Sequence, residues 1–203
     1  MLIRSRIEQR LSQSCAAVDP ESEARATWPP DVAAVLFPAP LVPAAVLMPL
    51  VERRGGLAVL LTRRSDHLRD HPGQISFPGG RVEPGDAGPL ATALREMDEE
   101  LGIDPAHVGV AGYLPAQAVV TGFVVTPVVG FLPGDIAVRP DAREVAEAFE
   151  VPLRYVLDPI NLRESTRVVH GLEVPVFEYT YSGHRIWGAT ASMLHTLARL
   201  ISA

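Results

Sequence analysis

Apolar positions recur with a helical period in three segments of the chain. A helix is predicted over 2–16, because apolar residues lie there roughly on one helical face. These residues are Leu2, Ile3, Ile7 and Leu11. The segment 90–101 predicts a strong helix, since Pro89 stands at its first turn and Gly102 directly follows its end. A last helix is predicted near 189–202.

Runs of consecutive apolar residues predict strands between these helices. The runs AAVLMPLV (44–51) and LAVLLTRR (57–64) are separated by the polar turn Glu52–Gly56, which predicts a hairpin or paired strands. Further strands are predicted at 75–77, 108–114, 122–132, 165–170 and 173–182. Because strands and helices interleave, the fold class is α/β or α+β, with helices packed on a sheet.

A Pro-rich arm is predicted over 28–43, ahead of the first strand. Residues 32–51 carry no charge, and an uncharged stretch of this length could span a membrane. Prolines within this stretch would remove helix hydrogen bonds that lipid cannot replace, so we expect no membrane association. We interpret the stretch as an apolar arm that leads into a buried strand. Its apolar surface suggests a homodimer as a further hypothesis.

The composition excludes several classes of function. The chain has 203 residues and a formal net charge of -6, and all 18 of its basic residues are arginine. Without lysine there is neither a P-loop nor Schiff-base chemistry. An acidic chain without a basic run is unsuited to nucleic acid. The single cysteine, Cys15, and the lack of an apolar leader in the first residues favour a reducing compartment, and we expect a cytoplasmic protein.

Three glutamates in the strong helix form the main candidate site. Glu96, Glu99 and Glu100 are spaced so that they share one helical face, where like charges repel one another. A divalent cation would reverse that repulsion, and oxygen-only ligands favour Mg²⁺ or Mn²⁺. The alternative is an ordinary solvated acidic face. Upstream, Gly79 and Gly80 allow the backbone to approach a phosphate closely.

The stretch from Gly80 to Ile103 resembles the Nudix box, G-x5-E-x7-R-E-U-x-E-E-x-G-U, where U is a bulky aliphatic residue. The box glycine falls on Gly80, and R-E-U falls on Arg95, Glu96 and Met97. Glu99, Glu100, Gly102 and Ile103 match the end of the box. Two departures concern the first acidic position. It is Asp86 instead of glutamate, and eight residues instead of seven separate it from the arginine.

A second resemblance accounts for the extra residue. The stretch LLTRRSDHLRDHPGQISFPGG (60–80) is similar to the signature found upstream of the box in coenzyme A pyrophosphatases, a Nudix subfamily whose box has the same extension. The resemblance runs from about 43 to 191. It implies a Nudix-type α/β/α sandwich with a mixed β-sheet and a loop–helix catalytic motif. We expect an N-terminal helix and Pro-rich arm over 1–42 and the Nudix hydrolase domain over 43–203.

The resemblance implies a metal-dependent hydrolase of coenzyme A or acyl-CoA. Such an enzyme splits the diphosphate into 3′,5′-ADP and 4′-phosphopantetheine or its acyl derivative. The metal, Mg²⁺ or Mn²⁺, would be bound by Glu96, Glu99 and Glu100, while Arg95 would hold these glutamates in place. The alternatives are a Nudix hydrolase of another nucleoside diphosphate derivative or (d)NTP, and a non-catalytic module that only binds nucleotide.

Several residues are alternatives for the base that removes the proton of water. Glu99 is one candidate, and Glu144 and Glu147 in the acidic segment 143–151 are others; we assign catalysis to Glu99, Glu147 and Arg95. For substrate binding we assign Gly79, Gly80, Arg63 and Arg69, with Arg64 and Arg81 as further arginines able to fork onto a phosphate. A surface ion pair of Arg69 with Asp66 or Asp70 is the alternative.

Other polar residues suggest weaker hypotheses. His67 and His71 are four residues apart, but Pro72 and Gly73 end any helix there, so we expect no zinc site. His71 is instead expected to hold the loop by hydrogen bonds. Trp187 either packs in the core or frames the site.

Overall fold

The computed structural model describes residues 2–202. The helices in this range are α1 (Leu2–Leu11), α2 (Pro20–Arg25), α3 (Pro30–Leu36), α4 (Pro89–Leu101), α5 (Leu153–Leu157) and α6 (Ala189–Ser202). The strands up to the middle of the chain are β1 (Val42–Arg53), β2 (Gly56–Arg64), β3 (Ile75–Ser76), β4 (Gly79–Arg81), β5 (Gly109–Tyr113), β6 (Gln117–Val119) and β7 (Phe123–Leu132). The remaining strands are β8 (Val145–Pro152), β9 (Leu162–Val169), β10 (Leu172–Tyr181) and β11 (His184–Trp187).

The main sheet is mixed, because β1 runs parallel to β7 and antiparallel to β2. The main path of the sheet is β3-β2-β1-β7-β5; β4 pairs with β1, β6 with β7 and β8 with β2. The strands β9, β10 and β11 form a separate antiparallel sheet. The predicted hairpin of β1 and β2 and the predicted mixed sheet are confirmed.

Side chains of β1 alternate between two cores on opposite faces of the sheet. Met48 and Leu50 pack in a core that includes residues of α1 and α6. Leu47 and Val51 pack in another core with α4. Because both faces of β1 are buried, its sequence is a nearly continuous apolar run. The predicted α/β/α sandwich is therefore confirmed.

The hairpin opens where the candidate loop enters the sheet. β1 pairs with β2 only near the turn, and its residues 44–46 pair with β4 instead. Correspondingly, residues 62–63 of β2 pair with β3. The segment 75–81 thus fills the gap between two diverging strands, and it lies at the end of the sheet opposite the hairpin turn.

The structure differs from the prediction mainly before residue 42 and in the acidic segment. The first helix ends at Leu11 instead of residue 16, and the Pro-rich arm contains α3, in which Pro30 occupies the first turn that tolerates proline. The acidic segment forms β8, in which exposed and half-buried residues separate the buried Val145 and Val151, so the strand has no alternating pattern. The short elements α2, α5, β6 and β11 were not predicted. The division of the chain at residue 42 stays a prediction.

The uncharged stretch 32–51 is divided between α3, a connection and β1. Leu36, Phe37 and Leu41 of this stretch are buried in a third core with Ala116, Val124 and Val174. The apolar surface that suggested a homodimer is thus largely covered by the chain itself, and the homodimer stays a prediction. None of the helices in residues 2–202 combines the length and the apolar character needed to cross a membrane.

Candidate active site

Helix α4 places the predicted carboxylates at the gap in the sheet. The helix starts with Pro89 in its first turn and stops at Gly102, which has a left-handed φ of 60° and donates its N–H to the carbonyl of Asp98 at 2.8 Å. The predicted helix and both of its boundary signals are confirmed. Asp98 itself is exposed.

The two glycines of β4 allow the loop to lie against both β1 and α4. A Cβ at Gly79 would overlap the carbonyl oxygen of Ala45, and a Cβ at Gly80 would overlap the carboxylate of Glu96. Any larger residue would therefore displace a neighbour. The close approach brings the backbone of the loop directly to the carboxylates of α4.

Arg95 connects four groups around this loop. Its guanidinium donates to Asp86 at 3.1 Å, to Glu96 at 2.9 Å and to Glu99 at 3.0 Å. It also donates to the backbone carbonyl of Arg81 at 3.1 Å. The planar fork of arginine suits this role, because it holds several donors in a fixed geometry.

Asp86, the position at which the chain departs from the box, is part of this network. Its carboxylate accepts two hydrogen bonds from Arg95, one from the backbone N–H of Glu83 at 2.9 Å and one from the hydroxyl of Thr92 at 2.7 Å. The hydrogen bonds from Arg95, followed by those from Glu83 and Thr92, hold the pKa of Asp86 well below its usual range. Asp86 is thus a charged anchor for Arg95.

Glu100 is a buried carboxylate whose charge is only partly compensated. The residue is 4% exposed, and its Oε2 atom has no hydrogen-bond partner among residues 2–202. Burial and then the charge of Glu96 raise the pKa of Glu100 to about 8, against the positive charge of Arg64 and the backbone N–H of Gly79, which act in the opposite direction. A buried carboxylate with a free lone pair is a position where a cation is stabilised.

Glu96 and Glu99 differ in their surroundings. The side chain of Glu96 is 15% exposed, and burial raises its pKa although Arg95 opposes the shift. The side chain of Glu99 is 56% exposed and turned toward Arg95. Within residues 2–202, no three His, Cys, Asp or Glu side chains converge closely enough to form a ready metal cage. The site offers oxygen donors alone, which fits a hard cation better than zinc.

The two candidate glutamates of the acidic segment have different surroundings. Burial is the largest cause of the raised pKa of Glu96 and of Glu100, and the negative charge of Glu144 adds to both shifts. Glu147 instead lies 3.8 Å from Arg63 and 3.5 Å from His184. The catalytic role of Glu147 stays a prediction, and Glu144 stays the alternative in the same segment.

The two arginines predicted to bind substrate, Arg63 and Arg69, also differ in their surroundings. Arg63 forms an ion pair with Asp66 at 3.0 Å and lies beside Glu147, so its charge is already shared. Arg69 is exposed and pairs with neither Asp66 nor Asp70, so its role in substrate binding stays a prediction.

Arg64, which was named only as a further arginine able to bind phosphate, acts electrostatically on Glu100. Its charge lowers the pKa of Glu100, and its buried Nε has no hydrogen-bond partner in the described part of the chain. Arg81 lies over the ring of Phe123, 5.3 Å from its centroid. The sequence could not predict the different surroundings of Arg63 and Arg64, because the register of the pairing of β2 with β8 shifts between these two residues.

A cavity of about 310 Å³ opens beside β4 on the side of α6. Its lining is mostly apolar and includes Gly79, Arg64, His71 and Trp187. Trp187 therefore frames a cavity at the site, which was one of its two predicted roles. His71 holds its loop through the backbone and not through its ring. Its φ is 56°, and its carbonyl accepts a hydrogen bond from the N–H of Gln74 at 3.3 Å.

Comparisons with known proteins agree on one family. A family model described as the NUDIX domain matches residues 41–169. The uncharacterized Nudix hydrolase NudL of Enterobacter sp. (strain 638) is 43% identical over 160 residues, which cover 76% of this chain and 80% of that protein. NudL of Escherichia coli (strain K12), also described as uncharacterized, is 44% identical over 155 residues with the same coverage of 76% and 80%.

A solved structure agrees with the fold. A binary complex of an Ap4A hydrolase from C. elegans superposes with a TM-score of 0.53 at 17% identity, covering 78% of this chain and 95% of that chain. At this level of identity, the similarity concerns the fold alone.

Proposed function

Because the chain belongs to the Nudix family and is therefore a hydrolase of diphosphate-containing substrates, we propose that its substrate is coenzyme A or an acyl-CoA. The products are 3′,5′-ADP and 4′-phosphopantetheine or its acyl derivative. The resemblance of residues 60–80 to the coenzyme A signature supports this choice. Residues of that segment, among them Arg64, Gln74 and Phe77, line the cavity beside the loop.

The observation that carries the proposal is the buried carboxylate of Glu100, whose Oε2 has no hydrogen-bond partner within residues 2–202 and whose pKa is raised by burial and by the charges of Glu96 and Glu144. Glu96 and Glu100 would hold a divalent cation, with Glu99 as the ligand further out. When bound, Mg²⁺ or Mn²⁺ neutralises phosphate charge and lowers the pKa of a water molecule. Oxygen-only donors fit these ions.

Side chains of the protein would carry out the remaining roles in hydrolysis. Arg95, anchored by Asp86, fixes the carboxylates of Glu96 and Glu99. The oxygen of water bonds to one phosphorus, and the bond from that phosphorus to the bridging oxygen breaks. The proton of the water passes to a carboxylate, for which we propose Glu144. The second phosphate leaves with the bridging oxygen.

The test is hydrolysis of coenzyme A with Mg²⁺ or Mn²⁺, with 3′,5′-ADP followed by chromatography. The variant Glu100→Gln keeps the shape of the side chain and removes its charge, and we expect a loss of about a hundredfold or more in kcat. The matched control Asp98→Asn removes an exposed carboxylate from the same helix, and we expect wild-type turnover.

Other outcomes of the same experiment point elsewhere. Turnover of a nucleoside diphosphate sugar or a (d)NTP, without turnover of coenzyme A, would move the assignment to another kind of diphosphate. Equal inactivity of wild type and Glu100→Gln, with equal nucleotide binding, would favour a module that only binds.

A further inference from the structure

The segment 139–144, which ends at Glu144, is held from two sides by hydrogen bonds to its backbone. On the basis of the proposed function, in which Glu144 accepts the proton of water, we propose that Ser65 is a positioning residue for Glu144. Ser65 fixes the backbone of the segment, and the backbone sets where the carboxylate lies. This residue of the coenzyme A signature therefore acts on the reaction through the base and not by contact with the substrate.

On one side, the segment supplies hydrogen bonds to the end of α4. The N–H of Arg139 donates to the carbonyl of Leu101 at 2.7 Å, and the N–H of Asp141 donates to the carbonyl of Glu100 at 2.9 Å. The last carbonyls of a helix have no partner within the helix, so these two donors satisfy them. The segment is thereby attached to the backbone of Glu100, the buried carboxylate of the candidate site.

On the other side, Ser65 binds two carbonyls of the segment. The paired strands β2 and β8 end at Arg64 and Val145. Directly beyond this pair, the backbone N–H of Ser65 donates to the carbonyl of Glu144 at 2.8 Å. The hydroxyl of Ser65 donates to the carbonyl of Ala142 at 3.0 Å. Because Ser65 is only 3% exposed, water does not readily replace its hydroxyl as the donor.

The carbonyl between these two is bound as well. It belongs to Arg143 and lies 3.0 Å from the Nε2 atom of His67. Since a carbonyl oxygen can only accept a hydrogen bond, the imidazole is the donor. The carbonyls of residues 142–144 are therefore held one after another by Ser65 and His67, immediately before β8 begins.

The direction of the Glu144 side chain depends on this backbone. Glu144 is exposed, so packing in the interior does not fix its side chain. The N–H groups of Glu144 and Val145 both donate to the carbonyl of Asp141, at 2.9 and 2.8 Å, which closes a turn at this point. Burial has the largest effect on the pKa of Glu100, and the charge of Glu144 adds to it. The carboxylate of Glu144 thus acts on the candidate site from a position that the turn determines.

The position of a general base affects the rate more than it affects substrate binding. A base must lie within hydrogen-bond reach of the proton that it removes. Without the hydroxyl of Ser65, the carbonyl of Ala142 loses its donor, and the segment can move away from its place beside α4. No contact with the substrate is lost in this change. We therefore expect a lower kcat and a nearly unchanged KM.

The first test is a double-mutant cycle of Ser65 and Glu144 on coenzyme A hydrolysis. We expect Ser65→Ala to lower kcat about tenfold while KM stays within about twofold, since a small displacement of a catalytic group costs this much. Ser65→Thr keeps the hydroxyl and should recover most of the loss. In the background of Glu144→Gln, Ser65→Ala should lower kcat no further, because the group that it positions is already absent.

Ser14→Ala is the matched control for this cycle. The hydroxyl of Ser14 donates to the carbonyl of Leu11 at 2.6 Å and accepts from the N–H of Tyr113 at 2.8 Å, away from the segment 139–144. Its loss removes a comparable pair of backbone contacts. We expect a lower melting temperature and a wild-type kcat.

The second test measures the segment itself and does not depend on turnover. Hydrogen–deuterium exchange in EDTA should be faster in peptides that cover 139–145 in Ser65→Ala than in wild type, and unchanged there in Ser14→Ala. Wild-type kcat in Ser65→Ala, unchanged exchange of these peptides, or a loss in the double variant equal to the product of the two single losses would overturn the inference. If wild type hydrolyses another diphosphate and not coenzyme A, the proposed function fails, and the same cycle on that substrate decides the inference.

Discussion

At the scale of single residues, the carboxyl group of Glu100 contributes to the pH dependence of the stability of the metal-free protein. Its pKa in the folded state is about 8, against an ordinary value of 4.5. Between these values the folded protein holds a proton that the unfolded chain has released. The free energy of unfolding therefore falls as the pH rises from 4.5 to about 8, and this contribution stays level above that range.

Melting curves of wild type and Glu100→Gln in EDTA isolate this effect. Glutamine stays neutral, so we expect similar melting temperatures near pH 5 and a higher one for the variant near pH 8. Each kcal/mol of difference corresponds to about 2–4 °C in a chain of this size. Adding Mg²⁺ should raise the melting temperature of wild type more than that of the variant. If the difference in melting temperature between wild type and Glu100→Gln did not change with pH, the raised pKa of Glu100 would be contradicted.

The identity of the proton acceptor is also a question at the residue scale. Glu144 acts electrostatically on Glu96 and Glu100, whereas Glu147 lies beside Arg63 and His184. We expect Glu144→Gln to lower kcat for coenzyme A by about a hundredfold, within the usual range for loss of a general base. The matched variant Glu147→Gln, which makes the same change three residues away, should keep kcat within about twofold. A larger loss in Glu147→Gln would return the role to that residue.

At the scale of elements, the site depends on the gap between β1 and β2. The insertion of β3 and β4 into this gap brings the loop against α4, and the glycines make the contact close enough. Glu96 meets the loop at the far end of its side chain. A bulky residue at Gly80 would therefore move a carboxylate without disturbing backbone.

Gly80→Ala tests this contact. The added methyl group overlaps the carboxylate of Glu96, which must turn away, so we expect kcat for coenzyme A to fall about tenfold or more while the melting temperature changes little. The control is Gly85→Ala in the following loop, where a Cβ meets nothing within 4 Å. A variant Gly80→Ala with full activity would mean that the position of Glu96 is unimportant.

The elements also explain which features the sequence could predict. Helix α4 has local start and stop signals, so its limits and its glutamate face followed from the sequence alone. The strand β8 did not, because it is acidic and becomes a strand only by pairing with β2. The same pairing places Glu147 opposite Arg63. The guanidinium groups of Arg167 in β9 and Arg185 in β11 both lie over the ring of Trp187, and no local sequence pattern connects these two strands.

At the scale of the whole molecule, the N-terminal helix belongs to the core that supports the cavity. Ile7 is fully buried and Leu11 is 2% exposed, and both share one core with Met193 and Leu194 of α6. The guanidinium of Arg6 donates to the carbonyl of Ile201 at 3.2 Å. Helix α1 thus packs on α6, whose first turn lines the cavity.

Ile7→Ala measures whether residues 1–42 fold separately or together with the rest. If α1 is part of the common core, the truncation leaves a cavity against α6, and we expect the free energy of unfolding to fall by about 2–5 kcal/mol. Urea unfolding followed by tryptophan fluorescence and by hydrolysis of coenzyme A should give one coincident transition, shifted to lower urea. The control Leu2→Ala truncates a residue of the same helix that is 92% exposed, and it should leave the transition in place. An unshifted activity transition in Ile7→Ala would instead mean that the N-terminal helix and arm unfold separately from the domain predicted to begin at residue 43.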